Sequence, residues 1–422
     1  NDGILYLESD LKFLRDLIKN SDLSIGPWDL GTQQWNDGRL TNLTLTKSNQ
    51  KLKGEIPLSL GNLTQLTSLI STKNKFTGSI PDTIKHQINL TNLEITYGEL
   101  SGGIPDAIGN LSRLQYLYLY DNQLTGSIPD AIGNLSSLRY LALYSNQLTG
   151  SIPESIGNLS SLKDLRLHKN KLTDSIPDTI SNLSSLAYLF LGNNQLTGSI
   201  PESIGNLSSL TTLRLQYNEL TGSIPESISN LSSLRELRLN SNKLTGVIPV
   251  TIGNLSSLTH LILGSNQLAG SIPDAIWNLS SLRDLSLYSN QLTGSIPETI
   301  GNLSSLSYLA LSSNQLTGTI PENIGNLTSL TSLYLNRNQL RGLVPTSLCN
   351  LSSLQTIKLN DNNLCPSYPE CLDASSIGTQ DKSKCHFPDI YEMTPADPVP
   401  GQMVTLTGIN FGSPFNATTV NY

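Results

Sequence analysis

Proline stands at Pro57, Pro81, Pro105, Pro129, Pro153, Pro177, Pro201, Pro225, Pro249, Pro273, Pro297, Pro321 and Pro345, each 24 residues after the last. A fixed period of about 20–30 residues points to a solenoid, in which each unit buries its apolar edge only against its neighbours. One unit, residues 114–137, reads L-Q-Y-L-Y-L-Y-D-N-Q-L-T-G-S-I-P-D-A-I-G-N-L-S-S. Leu117 and Leu119 are two apart, so on a short strand they point to one side. Leu114, Leu124, Ile128, Ile132 and Leu135 supply the rest of one core layer. Asn122 returns as Asn146, Asn170 and Asn194, and its amide is expected to bond main-chain groups of the next coil. Gly126 allows a bend at positive φ, and Pro129 stops helix formation before it.

The pattern L-x-x-L-x-L-x-x-N-x-L, with its L-T-G-x-I-P insert, resembles the plant-type leucine-rich repeats of receptor-kinase ectodomains and polygalacturonase inhibitors. The resemblance covers about three quarters of the chain. It implies an α/β repeat solenoid, a leucine-rich-repeat superhelix with a parallel concave β-sheet. Roughly fourteen strands about 4.8 Å apart would span roughly 65 Å. In such proteins the T-G-x-I-P segments form a second short sheet on the flank.

The expected organisation is an N-terminal cap over 1–40, the solenoid over 41–364, a disulfide-bonded cap over 365–386 and a further domain from 387 to 422. In the first cap Leu5, Leu7, Leu11, Phe13, Leu14, Leu17 and Ile18 have helical spacing, and Trp28 and Trp35 follow in a polar loop. Caps of the resembled family usually carry a cysteine pair, which this one lacks. The first repeats are imperfect: Lys51 is an added residue, Gly98 replaces the ladder asparagine, and residues 85–90 read K-H-Q-I-N-L. Later units are nearly uniform, with Asp174 and Trp277 each in place of a glycine.

The cysteines, Cys349, Cys365, Cys371 and Cys385, all lie beyond the repeats' regular part. An even number at a solenoid end argues for two disulfides and an oxidising compartment. A zinc site competes, but the C-x5-C spacing fits it poorly. Sequence alone allows three pairings; the resemblance favours Cys365–Cys371, which leaves Cys349–Cys385. After Phe387 the composition changes. Pro388, Ile390, Pro395, Gly401, Val404, Leu406, Gly408, Phe411 and Gly412 resemble the opening of an IPT/TIG domain, implying a partial β-sandwich of Ig-like type. Val404 and Leu406 alternate with Thr405 and Thr407, as a half-buried strand should.

Net charge is −7 with few charged residues, which gives no nucleic-acid or anionic-membrane signature. No apolar run approaches the length of about 18 residues that spans a bilayer. No leader is visible, and Asn1 is expected to be either a mature terminus or a cut end. His86, His168, His260 and His386 have no metal spacing. G-N-L-S-S-L lacks the G-x-S-x-G of a nucleophile elbow, and no phosphate loop appears. No enzyme, cofactor or metal is expected.

The variable strand positions carry the signal. Residues flanking the core leucines should project from the concave face. They read Tyr97; Tyr116, Tyr118, Tyr120; Tyr140, Ala142, Tyr144; Asp164, Arg166, His168; Tyr188, Phe190; Arg214, Tyr217; Glu236, Arg238; then Asp284, Tyr288, Tyr308 and Tyr334. Eleven of the fifteen tyrosines fall in this set. Amphipathic tyrosine suits protein contacts or carbohydrate stacking, although aromatic residues also favour strands for structural reasons. Expected ligand residues are therefore Tyr97, Tyr116, Tyr118, Tyr120, Tyr140, Tyr144, Asp164, Arg166, His168, Tyr188, Phe190, Arg214, Tyr217 and Arg238.

N-x-S/T sequons stand at Asn42, Asn62, Asn89, Asn110, Asn134, Asn158, Asn182, Asn206, Asn230, Asn254, Asn278, Asn302, Asn326, Asn350 and Asn416. Glycans there would form a row along one flank and leave the tyrosine face open. Thr125, Ser127, Thr149, Ser151, Thr197 and Ser199 form a flank hydroxyl ladder. The expected function is a secreted or cell-surface glycoprotein module for protein or glycan recognition or adhesion through the concave face. The alternatives are a subunit of an extracellular filament, with head-to-tail copies of itself as partners, and an ice-binding protein.

Overall fold

The computed structural model describes residues 7–46, 50–383 and 385, with the backbone of strands Asp389–Thr394, Met403–Ile409 and Ala417–Asn421. Leu5, His386, Asn416, Pro388, Pro395, Gly401, Phe411 and Gly412 lie outside the described residues.

Each coil does in space what its pattern dictates. The strand Tyr116–Tyr118 lines one side, and the leucines around it, Leu114, Leu117, Leu119 and Leu124, are fully buried. Burying such a leucine contributes about 1.5–3 kcal/mol, and the same layer repeats coil after coil. Asn122 then turns inward. Its amide nitrogen donates to the carbonyls of Ile95 (2.8 Å) and Leu119 (3.1 Å), and its Oδ1 accepts from the Leu100 N–H (3.2 Å). The ladder therefore clasps the preceding coil, not the next one. Asn146 and Asn170 repeat the arrangement.

The chain next reverses at Gly126, with φ of 73°, a conformation that disfavours side chains. Asp174 occupies the same bend at φ 62°, tolerable because aspartate is among the residues that enter this region. The flank segments bond from coil to coil, as in Gln147 N–H to Leu124 O and Thr149 N–H to Gly126 O, both 2.8 Å. They rank as regular strands only at 53–55 with 75–77, 269–271 with 291–293, and 341–343 with 363–365, so the second sheet is discontinuous. Pro129, extended at ψ 145°, caps the 3-10 helix Asp130–Asn134, which returns the chain to the next strand. A Cβ on Gly133 would lie 2.5 Å from the Ser155 carbonyl oxygen. The glycine of G-N-L thus allows close packing between neighbouring 3-10 helices in this coil, although Ser181, Ser229 and Cys349 stand at the same position elsewhere. Trp277 takes this position in its own coil and is completely buried.

Fifteen strands make the concave sheet. The first, Thr32–Asn36, is antiparallel to Arg39–Leu45 and covers the sheet edge; the others run parallel. Trp35 therefore lies on an edge strand and not in a loop. The helix Glu8–Asn20 buries Phe13, Leu14, Leu17 and Ile18 over the open end. It also buries Asp10, which pairs with Arg39 (3.0 Å) and accepts from the Leu40 N–H (2.9 Å).

At the other end, the segment after Cys371 imitates a coil. Asp373 caps the short helix Ala374–Ile377, and Leu359 N–H donates to Ser376 O at 2.8 Å. Gln380 takes the ladder role, donating to Leu359 O (2.9 Å) and Ile377 O (2.7 Å) and accepting from Leu364 N–H (3.1 Å). Two disulfides lock this cap, Cys349–Cys371 and Cys365–Cys385, each with Cα atoms 5.6 Å apart. The pairing Cys365–Cys371 with Cys349–Cys385, favoured by resemblance, is thus corrected. The bridges span 22 and 20 residues, close to one repeat. Beyond them, Asp389–Thr394, Met403–Ile409 and Ala417–Asn421 form a three-stranded antiparallel sheet.

Candidate functional site on the concave face

Parallel in-register pairing converts the repeat into columns. One column runs Tyr116, Tyr140, Asp164, Tyr188, Thr212, Glu236. A second runs Tyr118, Ala142, Arg166, Phe190, Arg214, Arg238. A third, just past the strand ends, carries Tyr120, Tyr144, His168, Gly192 and Gln216. Because the period is fixed, like side chains meet face to face. Tyr116 stacks on Tyr140 with ring centroids 5.1 Å apart. Tyr120, Tyr144 and His168 form a continuous stack at 4.5 Å per step. Such pairs contribute about 0.5–1.5 kcal/mol beyond their area.

Two expected residues sit elsewhere. Tyr97 and Tyr217 occupy the turn after the strand, at φ 53° and 57°, not the strand face. They fall one residue beyond the column of Tyr120 and Tyr144, where the chain bends toward the ladder asparagine. Both are exposed, although Tyr97 still meets Tyr120 edge-on at 5.4 Å.

The charged members are organised by pairing. Arg166 Nη2 and Asp164 Oδ2 are 2.8 Å apart, and Arg214 Nη2 and Glu236 Oε2 are also 2.8 Å apart. Arg238 contacts the same Glu236. Burial alone would raise the Glu236 carboxyl, but hydrogen bonds from Arg214 and Arg238 hold it below its ordinary value. Both Arg166 and Arg214 lie over the ring of Phe190, at 5.1 Å and 4.8 Å from its centroid. Burial, reinforced by Lys169, Arg166 and Arg214, pushes His168 down to about 4, so its imidazole is neutral at neutral pH. Its Nδ1 is buried without a hydrogen-bond partner, as is Oε1 of Gln216. Burial and nearby carboxylates push the Tyr118 phenol up to about 12 and raise Tyr144 and Tyr120.

Two hollows open between these columns. One of about 250 Å³ has Ala142 at its floor and Tyr118, Tyr140, Tyr144 and Arg166 around it. The other, about 220 Å³, is lined by His168, Phe190, Gly192, Arg214 and Gln216. Gly192 and Gln216 were not read as site residues from sequence. The signal available was the small residue breaking an otherwise bulky column.

The sequon asparagines divide into two groups. Asn110, Asn134, Asn158, Asn182, Asn206, Asn230, Asn254, Asn278, Asn302, Asn326 and Asn350 are exposed at the ends of their 3-10 helices. Asn62 shares that position but is half-buried, whereas Asn89 lies three residues past the 3-10 helix Asp82–His86, half-buried and receiving Arg113 at 2.8 Å. Asn42 departs from the row: it lies on the strand Arg39–Leu45, where its Oδ1 accepts from Thr67 at 2.7 Å.

The coil geometry and the concave face define a class, and the comparisons agree with it. The family described as "Leucine-rich repeat region" matches residues 98–192, 122–217, 179–272 and 262–372. The chain belongs to the leucine-rich-repeat family. No curated protein matches it in sequence. Among solved structures, it is 38% identical to the plant peptide hormone receptor RGFR1 in complex with RGF2, with TM-score 0.69, over 76% of this chain and 56% of that one. It therefore spans only about half of that receptor's length. The Arabidopsis receptor kinase HAESA, in complex with the peptide hormone IDA and the co-receptor SERK1, is 31% identical, with TM-score 0.73, over 86% of this chain and 67% of that one. A leucine-rich-repeat protein of Leptospira interrogans is 32% identical, with TM-score 0.60, over 84% of this chain and 93% of that one. The fold and disulfides fit an extracellular or cell-surface protein. Among the described residues no helix is long and apolar enough to cross a membrane.

Proposed function

We propose that this chain is a non-enzymatic extracellular recognition module that binds an extended peptide or protein segment across the concave strands from Tyr116 to Arg238. The observation that carries this reading is the aromatic and guanidinium surface itself. Ring stacks, Phe190 between two arginines, and two unpartnered polar atoms meet there in two hollows. Solved relatives hold peptide hormones, which supports the same class of ligand. Replacing Tyr118, Tyr144 and Phe190 together with alanine tests it, using peptides selected from a random display library on the native chain. Affinity should fall by several kcal/mol in sum, without additivity, while circular dichroism stays unchanged. Undiminished affinity in a folded triple variant would remove this face from consideration.

The exposed asparagine row is proposed to carry N-glycans, which would leave the concave face clear. The C-terminal antiparallel strands are proposed as the opening of an Ig-like sandwich. The filament reading rests on repeat monotony and dense sequons, and the ice-binding reading on the flank hydroxyl ladder; both stand as alternatives.

A further inference from the structure

The column Tyr118, Ala142, Arg166, Phe190, Arg214 has one missing rung. Phe190 shows what a filled rung looks like: its ring lies between the guanidinium groups of Arg166 and Arg214, at 5.1 Å and 4.8 Å. On the other side of Arg166 the register position belongs to Ala142, itself paired with Tyr118. Ala142 is buried and contributes only a methyl group to this column, and the hollow that it helps to line measures about 250 Å³. Two strand spacings separate the Tyr118 and Arg166 positions, about 9.6 Å. A flat ring needs about 7 Å between two contacting groups, so one ring fits and two do not. Tyr140 and Tyr144 close the two sides, each held by its own stacking partner.

We infer that the Ala142 hollow is a binding slot for one aromatic side chain of the ligand, inserted between Tyr118 and Arg166. This deepens the peptide-recognition reading above and rests on it. Arg166 selects the class of side chain. Its Nε and Nη2 already engage Asp164, while its planar face remains suited to a ring's electron-rich surface. A lysine or arginine of the ligand would meet like charge. An aliphatic side chain would lose the cation–ring attraction that Phe190 obtains from the same guanidinium. The slot thus repeats, with a foreign ring, the contact that the chain already makes with its own.

The test uses the full chain and three small probes: N-acetyl-phenylalaninamide, N-acetyl-leucinamide and maltotriose, followed by NMR titration. Ala142→Phe fills the slot with the chain's own ring, Arg166→Lys keeps the charge but removes the flat face, and Ala142→Ser leaves the slot open. The aromatic amide should bind the native chain and Ala142→Ser about tenfold tighter than the leucine amide does. It should weaken about tenfold on Arg166→Lys and more on Ala142→Phe, as loss of a buried aromatic anchor does. Equal binding of the leucine amide, preference for the sugar, or undisturbed aromatic binding to a folded Ala142→Phe variant overturns the slot. If Ala142→Phe does not fold, Arg166→Lys alone decides by the same criterion. A library-selected peptide separates the two levels. If it is lost on the Tyr118, Tyr144 and Phe190 triple variant but retained on Ala142→Phe, the slot fails and concave peptide recognition stands.

Discussion

Replacing Asn170 with alanine tests how the coils are held to one another. Asn170 is almost wholly buried, and its amide makes three bonds of 3.0 Å: to the carbonyls of Leu143 and Leu167, and from the N–H of Leu148. Alanine leaves the Leu148 N–H unpaired and takes one of two donors from each carbonyl, since Asn146 still reaches Leu143 O and Asn194 still reaches Leu167 O. The orphaned donor costs about 1–3 kcal/mol and each lost carbonyl bond about 0.5–1.5 kcal/mol, so the loss should be about 2–6 kcal/mol before any relaxation or water entry. Asn170→Asp should be no milder, since it keeps the acceptor for Leu148 but sets oxygen against two carbonyl oxygens. In a solenoid the damage belongs to one interface between coils. Hydrogen exchange should therefore lose protection at Leu148 and around 143–172 first, ahead of the distant repeats. Urea unfolding read by circular dichroism supplies the magnitude. A change below about 1 kcal/mol, or a uniform loss of protection, would refute the ladder as the tie between coils.

Other outcomes follow from the same geometry. His168 is depressed by burial and by Lys169, Arg166 and Arg214 to about 4. Above the ordinary imidazole value both folded and unfolded chains are neutral there. As pH falls below it, only the unfolded chain takes up the proton. Stability should drop across that window and level off near pH 4, and His168→Phe should reduce the drop in thermal midpoint between pH 7 and pH 4. Non-reducing peptide mapping should recover Cys349–Cys371 and Cys365–Cys385; a linked Cys365–Cys371 peptide would contradict the cap. Intact mass before and after enzymatic deglycosylation of native material should reveal occupied sequons, and a native mass equal to the polypeptide's would sink the glycan proposal.

Much of this was legible because the repeat writes one physical rule many times. The core layer, the proline-capped turns and the concave position of Tyr118, Arg166 and Phe190 all follow from the 24-residue register. What was not legible depends on contacts off that register. Asp10 and Arg39 form a buried pair across the cap, 29 residues apart. Gln380 substitutes for a ladder asparagine only 16 residues past Leu364, so no periodic search points to it. Tyr97 and Tyr217 were placed one residue wrongly, because alternation continues on paper where the backbone has already turned to positive φ. The hollow at Ala142 was invisible for a different reason. Sequence shows which side chains line a face, whereas a missing rung emerges only when the neighbours' rings are given their directions.

The central claim is that the concave surface from Tyr116 to Arg238 is where a peptide is held. Hydrogen–deuterium exchange of the native chain, with and without a library-selected peptide, tests it most directly. New protection is expected in the strands 116–118, 140–142, 164–166, 188–190 and 212–214, with the flank and 3-10 helices unchanged. Protection confined to the flank segments or the 3-10 side, with these strands unaltered, would contradict it.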